Sequence, residues 1–168
     1  SEIEVLTAET IAIHPFLCKL GLDLLDSTTT VAQVLDRFQD KRFCRRSLPA
    51  LLLDQHFLCG LGNYLRSEVL FVARVPPVSR PIDCSPQQLL HLAEASIAVT
   101  VQSYQHNGIT NDLQLTQTLK AQGKRRREYR HFVFNREGRP CFICGTAIVK
   151  EILAGRRLYY CPTCQMKG

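Results

Sequence analysis

Two cysteine pairs set the strongest limit on how this chain can fold. Cys141 and Cys144 are separated by two residues, Cys161 and Cys164 likewise, and sixteen residues lie between the pairs in PCFICGTAIVKEILAGRRLYYCPTCQ. Two residues between thiols let both sulphurs face one ion from a tight turn, and two such turns complete a tetrahedral site with Zn–S bonds near ~2.3 Å. With all four positions filled by protein there is no open site for water, so the expected ion is one structural Zn²⁺. Disulfides are the first alternative, but the chain opens SEIEVLTAET without an apolar signal core, and no run approaches the ~18 apolar residues of a membrane span. A reducing compartment follows from that reading, and it favours metal over disulfide. An iron–sulphur electron carrier is the second alternative, and the basic loop between the pairs argues against it. Cys18, Cys44, Cys59 and Cys84 stand singly among apolar or mixed residues and read as small hydrophobes.

Between the pairs the segment reads as a hairpin with Arg156 and Arg157 near its tip, and charge elsewhere shows what those cations are for. The formal net charge of the 168 residues is +6. Residues 1–119 hold nine Lys/Arg against twelve Asp/Glu, whereas residues 120–168 hold twelve against three. Positive charge confined to the last third points to a polyanion. Its densest part is KAQGKRRREYRHFVFNREGRP, residues 120–140, where Tyr129, Phe132 and Phe134 interleave with cations and HFVF has strand character. A nucleic-acid face is favoured there, with a solvated basic linker as the alternative.

Upstream the signals are helical. TTTVAQVLDRF places Val31, Val34, Leu35 and Phe38 at helical spacing behind a Thr30/Gln33 capping box, and SPQQLLHLAEASIAVTVQSYQHNG begins with Ser85, Pro86 and Gln88 and stops at Asn107-Gly108. Shorter helices are expected over about residues 7–13 and over 48–58, the latter with Ser47 as cap and Pro49 in the first turn. In LLLDQHFLCGLGNYLRSEVLFVARVPP a helical run is broken by Gly60-Leu61-Gly62, restarts at Asn63 and ends at Pro76-Pro77. The glycines can take positive φ and leave backbone N–H groups open, and Asn63 stands where an N-cap is expected. Such a helix start is an anion site in waiting, with a plain interhelical turn as the alternative. Leu52, Phe57, Leu65, Val69, Leu70, Leu89 and Leu92 are the expected core.

Together, LLLDQHFLCGLGNYLRSEVLF, NREGRPCFICG and GRRLYYCPTCQ resemble, in that order, the helix-two-turn-helix motif, the approach to the zinc ribbon and the ending of the formamidopyrimidine-DNA glycosylase and endonuclease VIII family. GLGNYLR and HPFLCKLGLDLLD are more similar to the endonuclease VIII branch. The resemblance implies a mainly α fold, a helical bundle containing a helix-two-turn-helix motif plus a small C-terminal β-hairpin zinc ribbon. The domains would be residues 1–119, helical and DNA-binding, and residues 120–168, a basic linker and four-cysteine ribbon. It also implies that Gly62 and Asn63 hold a backbone phosphate and that Arg156 grips phosphates from the ribbon.

The family's nucleophile is an N-terminal proline followed by glutamate on a β-sandwich domain. This chain opens Ser1-Glu2-Ile3-Glu4, with no proline amine and no β-rich segment ahead of the helices. The expectation is therefore the DNA-binding half of a bacterial, cytoplasmic base-excision-repair glycosylase and AP lyase acting on oxidised bases, pyrimidines first, with no catalytic residue in this chain. Its partner would be damaged double-stranded DNA, bound by a monomer away from membranes. A stand-alone zinc-ribbon DNA-binding protein without catalysis is the alternative.

Overall fold

The structure, a computed structural model, describes residues 21–166. The expected helix over residues 7–13, Cys18 and the opening Ser1-Glu2 lie outside the described residues. The first element is β1 (Leu22–Asp23), which pairs in parallel with β2 (Leu58–Cys59). Helix α1 (Val31–Gln39) starts at the predicted capping box: the Gln33 amide donates to Thr30 Oγ1 at 3.2 Å, and the Thr30 amide donates to Gln33 Oε1 at 2.9 Å. Its apolar stripe buries Val34 and Phe38, with Phe38 set edge-on to Phe57 at 5.1 Å between ring centroids.

The helix expected over 48–58 shrinks to a single turn, α2 (Leu48–Leu51). Side chains compete with the helix after that turn. Asp54 Oδ1 accepts the His56 amide at 2.9 Å, Gln55 Oε1 accepts the Gly60 amide at 3.2 Å, and residues 58–59 are drawn into the strand pair. Ser47 makes no side-chain cap here.

Helix α3 (Asn63–Val72) is the centre of the molecule, with every residue from Leu65 to Phe71 buried. A helix buried on all sides needs a layer on each face. One face packs against α4 (Pro86–Gln105), which also packs on α1, and the expected core residues Leu52, Phe57, Leu65, Val69, Leu70, Leu89 and Leu92 all lie in the one cluster these helices share with α2. The other face carries the ribbon, where Phe71 packs with Val133, Ile148, Tyr159, Cys141 and Cys161. The helix stops short of Pro76: Arg74 takes φ 60°, and the Val75 amide donates back to the Leu70 carbonyl at 3.1 Å, a left-handed C-terminal cap filled by arginine.

A short 3-10 turn (Pro81–Asp83) leads to α4, which begins at Ser85 with the predicted box and ends ahead of Asn107 and Gly108, both at positive φ. Two further helices follow, α5 (Leu113–Ala121, capped by Asp112), which runs across the expected boundary at 119/120, and the single turn α6 (Arg126–Tyr129) inside the stretch read as a basic linker. The ribbon hairpin is β3 (Val149–Leu153) against β4 (Arg156–Tyr160), antiparallel and in register from Val149–Tyr160 to Leu153–Arg156. Its two-residue turn, Ala154-Gly155, has φ of 53° and 76°, the left-handed pair that matches the twist of a tight hairpin. No described helix is long and apolar enough to cross a membrane.

Candidate nucleic-acid interface

Three consecutive side chains of α3 fasten the ribbon to the helices. Arg66 is fully buried and fans across the hairpin tip: Nη1 donates to the Leu153 carbonyl at 2.8 Å, and Nη2 donates to the carbonyls of Arg156 at 3.0 Å and Arg157 at 3.3 Å. On the helical side, Nη1 donates to the Pro49 carbonyl at 3.1 Å and Nη2 reaches Asn63 Oδ1 at 3.4 Å. Ser67 Oγ accepts the Tyr159 amide at 3.0 Å in the middle of β4. Glu68, also fully buried, accepts the amides of Phe132, Val133 and Phe134 at 2.6, 2.9 and 3.3 Å, together with the Thr110 hydroxyl.

That last arrangement corrects the strand expected at HFVF. The three amides a strand would place in a ladder converge instead on one carboxylate, and the segment turns around it. The aromatic residues of the basic run also face inward. Phe132 packs on Phe71 at 5.1 Å and Phe134 on Tyr159 at 5.0 Å, so these two rings build the ribbon's seat; Tyr129 is buried, and so is Arg136, while Lys120, Lys124, Arg125, Arg126, Arg127 and Arg139 are exposed. Burial pushes the Glu68 carboxyl above its usual range, while Thr110, Val133, Phe132 and Phe134 pull it back. Because the Thr110 proton goes to Glu68, its oxygen accepts from His131 Nδ1–H at 2.8 Å. Burial, then the charges of Arg130 and Arg126, hold His131 neutral, with its pKa down to about 3.

The start of α3 differs from the expectation in one respect. Gly62 is the N-cap, in extended conformation at φ −95°, and Asn63 is the first helical residue, so Asn63 does not cap. Only Gly60 of the two turn glycines takes positive φ, 105°. A Cβ added at Gly62 would meet no atom within 4 Å, and no side chain caps the helix start. Asn63 directs Oδ1 toward Arg66, which turns its NH₂ group the other way as a donor. Arg156 and Arg157 are exposed on the tip that Arg66 holds. One buried guanidinium thus touches the Asn63 side chain and the Arg156 carbonyl, with Gly62 next to Asn63 at the helix start.

Arg66 itself bonds only carbonyl and amide oxygens, with no carboxylate among the described residues, and its Nε has no partner. Burial, then the charge of Arg156, lowers its pKa to about 10, which leaves it cationic at neutral pH. A buried cation with no carboxylate partner, beside an uncapped helix start and two exposed arginines, makes a strongly positive site. Sequence reasoning missed Arg66, Ser67, Glu68 and Gln165. For the first three the one signal was a polar triplet inside the otherwise largely apolar NYLRSEVLFV.

At the other end of the hairpin the four expected thiols meet. Sγ atoms of Cys141, Cys144, Cys161 and Cys164 all lie within 4.8 Å of one another, with Cys141–Cys164 at 3.8 Å and Cys144–Cys161 at 3.4 Å. A tetrahedron of sulphurs at ~2.3 Å from zinc has edges near ~3.8 Å, so the set fits that ion. Hydrogen bonds from the Thr146 side chain and amide hold the Cys144 thiol down to about 6, whereas burial and the neighbouring thiols push Cys164 up. Gln165 links the knuckle to the helices: its Oε1 accepts the Cys161 amide at 2.9 Å, and its Nε2 donates to the Val75 carbonyl at 3.0 Å. Cys44, Cys59 and Cys84 are half-buried and stand apart from this cluster.

Residues 20–114 match the formamidopyrimidine-DNA glycosylase H2TH domain, more than half of the chain, and residues 138–165 match the zinc finger found in FPG and IleRS. The chain belongs to the formamidopyrimidine-DNA glycosylase and endonuclease VIII family. Among its relatives, Endonuclease 8 of Klebsiella pneumoniae (strain 342) is 41% identical over 165 residues, and that of Escherichia coli (strain K12 / DH10B) is 39% identical over 165. Each alignment takes in 98% of this chain and 59% of the relative, so the chain spans about three fifths of the length of these relatives. Among solved structures, MutM (Fpg) from Thermus thermophilus is 30% identical with a TM-score of 0.71, covering 92% of this chain and 56% of that one. The Lactococcus lactis Fpg solved with abasic-site DNA shares the fold, at 23% identity and a TM-score of 0.71, covering 94% of this chain and 56% of that one. The helix-two-turn-helix and four-cysteine ribbon of this family are therefore the two halves joined by Arg66, Ser67 and Glu68.

Proposed function

We propose that this chain is the duplex-gripping part of a base-excision-repair glycosylase and AP lyase of the endonuclease VIII type. In this reading the Gly62–Asn63 helix start and the Arg156 tip hold backbone phosphates of damaged double-stranded DNA, and the protein acts as a monomer in the bacterial cytoplasm. The observation that supports it is the Arg66 guanidinium, which touches the Asn63 side chain and the Arg156 backbone at once. Two phosphate-binding groups contributed by different domains are useful only if their spacing is fixed, and here one buried side chain fixes it.

The metal has a supporting part. When bound, zinc ties the two knuckles together, which makes rigid a hairpin whose own core is a handful of side chains. The residues of this chain then bind and orient DNA without breaking bonds. Base removal and strand scission, on oxidised pyrimidines, belong to a proline amine outside this span, which would attack C1′ and form a Schiff base before β,δ-elimination. Holding a bent duplex offsets the few kcal/mol that unstacking the damaged nucleotide costs.

The test pairs binding with chemistry. The 168-residue chain should retard duplex DNA in a gel yet give no covalent product with abasic DNA under borohydride. Efficient trapping would show an amine of this chain placed at C1′, and failure to bind duplex at any salt would remove the grip itself.

A further inference from the structure

A second basic recess lies away from the Asn63–Arg156 site. Leu119 of α5 and Phe142 of the first knuckle form its apolar walls, and Lys124, Arg127, Arg136 and Arg139 converge on a cavity of about 230 Å³. Most of it falls between the two segments that match known families.

Its charge is poorly compensated. Lys124, Arg127 and Arg139 are exposed, with no carboxylate oxygen within 4.0 Å among the described residues, whereas nearby Lys150 is paired with Glu137 at 3.0 Å. Glu128, the one acidic residue at the rim, uses Oε2 to accept the Arg125 amide at 2.6 Å and offsets Lys124 and Arg127 only in part, one carboxylate against four cations. Arg136 is buried and stacked on the Phe142 ring at 3.7 Å, and its donors go to the Phe132 and Pro140 carbonyls at 2.6 and 2.7 Å, so its charge is fixed in place with no carboxylate in contact among the described residues, only the more distant charges of Cys141 and Glu68 acting on it. A concave, partly apolar wall around a fixed cation focuses positive potential outward. Three exposed cations at the rim can then close on an anion.

We infer that this recess is an additional phosphate site for the DNA strand, set beyond the Asn63–Arg156 grip. It rests on the proposed duplex-binding function. Pro140 bridges to Ala147 at the cysteine end of the hairpin, and Leu153 stands at the tip, six residues away at ~3.4 Å each, or ~20 Å. That is the axial rise of about six base pairs at ~3.4 Å per nucleotide, so one duplex can reach both places.

The experiment measures duplex affinity of the zinc-loaded chain against salt for three double variants. Arg127→Ala with Arg139→Ala removes two of the recess's exposed cations. Lys120→Ala with Arg125→Ala removes equal charge from neighbouring positions that do not line it. The pair Asn63→Ala with Arg156→Ala disables the primary grip. Each phosphate contact contributes about −0.9 to the log–log slope, so the first pair should flatten the slope by about 1 to 2 and weaken binding at least tenfold at low salt, while the second should change affinity less than about threefold. Equal effects of the first two pairs would reduce the recess to diffuse charge and overturn the inference. A flattened slope in the Asn63/Arg156 pair only would overturn it while leaving the grip intact. No duplex binding by the unsubstituted chain would overturn both. Deoxyadenosine monophosphate is titrated as a further probe; binding that needs Arg127 and Arg139, with the duplex slope unchanged, would reassign the recess to free nucleotides and overturn it too.

Discussion

Arg66 Nη2 lies 3.0 Å from the Arg156 carbonyl oxygen, across ninety residues of sequence. The bond joins a helix interior to the turn of a hairpin, and the same nitrogen touches Asn63 Oδ1. Domain geometry is thereby set by a side chain that faces away from solvent.

Replacing Arg66 tests that link. Arg66→Ala leaves the carbonyls of Pro49, Leu153, Arg156 and Arg157 without their donor, and each unsatisfied buried group costs about 1–3 kcal/mol, so a loss on the order of 3 kcal/mol is expected after water reaches the outer ones. Arg66→Lys should rescue little, because one ammonium cannot span four acceptors held by a planar fork. Urea unfolding gives the stability change. Amide hydrogen exchange should rise first at residues 149–160, and unaltered protection there would show that the hairpin is held by its own core.

His131 gives the chain an acid sensitivity. Its folded pKa is depressed from 6.5 to about 3, so the unfolded chain takes up a proton that the folded chain refuses. Stability from this site is complete above ~6.5 and is lost as pH falls toward about 3, at up to ~1.4 kcal/mol per unit. His131→Asn keeps a donor near Thr110 and removes the titration. The difference between the two proteins' urea midpoints should shrink from pH 7 to pH 5, which cancels the separate effect of acid on the zinc thiols. A constant difference would mean that His131 takes up its proton in the fold as readily as in the unfolded chain.

Much of the fold was legible because its signals are local. Thr30/Gln33, Ser85/Gln88 and each of the two cysteine pairs act within three or four residues of chain, and each appears where the sequence places it. The failures are tertiary. Glu68 draws residues 132–134 out of strand geometry from more than sixty residues away, and the strand β1 draws Leu58–Cys59 out of a helix. Asn63 stands out in the sequence, but its place one residue inside the helix depends on the extended conformation of Gly62, which the sequence GLGN leaves free. Arg66 was invisible for the same reason: in NYLRSEVL an arginine reads as surface until its acceptors, ninety residues on, are known.

Removing one thiol should separate the ribbon from the helices. Cys144→Ser breaks the four-sulphur set, and structural zinc in small peptides is worth an apparent ~10–16 kcal/mol at neutral pH. Zinc content should fall from one per chain toward zero, and ribbon resonances should lose dispersion. The far-ultraviolet helical signal should persist, since the core around Leu52, Val69 and Leu92 does not use the cysteines. Full zinc occupancy in the variant would contradict the ligand assignment.

Asn63 and Arg156 should part in stability and join in binding. Asn63 is not the cap, so Asn63→Ala should cost less than the ~1 kcal/mol of a lost N-cap, and Arg156→Ala should cost almost nothing because only its backbone is engaged. The decisive measurement is the salt dependence of duplex binding by the unsubstituted chain and by Arg156→Ala, read as the slope of log affinity against log salt. A shared grip predicts a steep negative slope that loses about 0.9 in the variant, with the urea midpoint unchanged. An identical slope in both proteins, with the ribbon folded, would show that the tip arginine holds no phosphate and would contradict the shared grip.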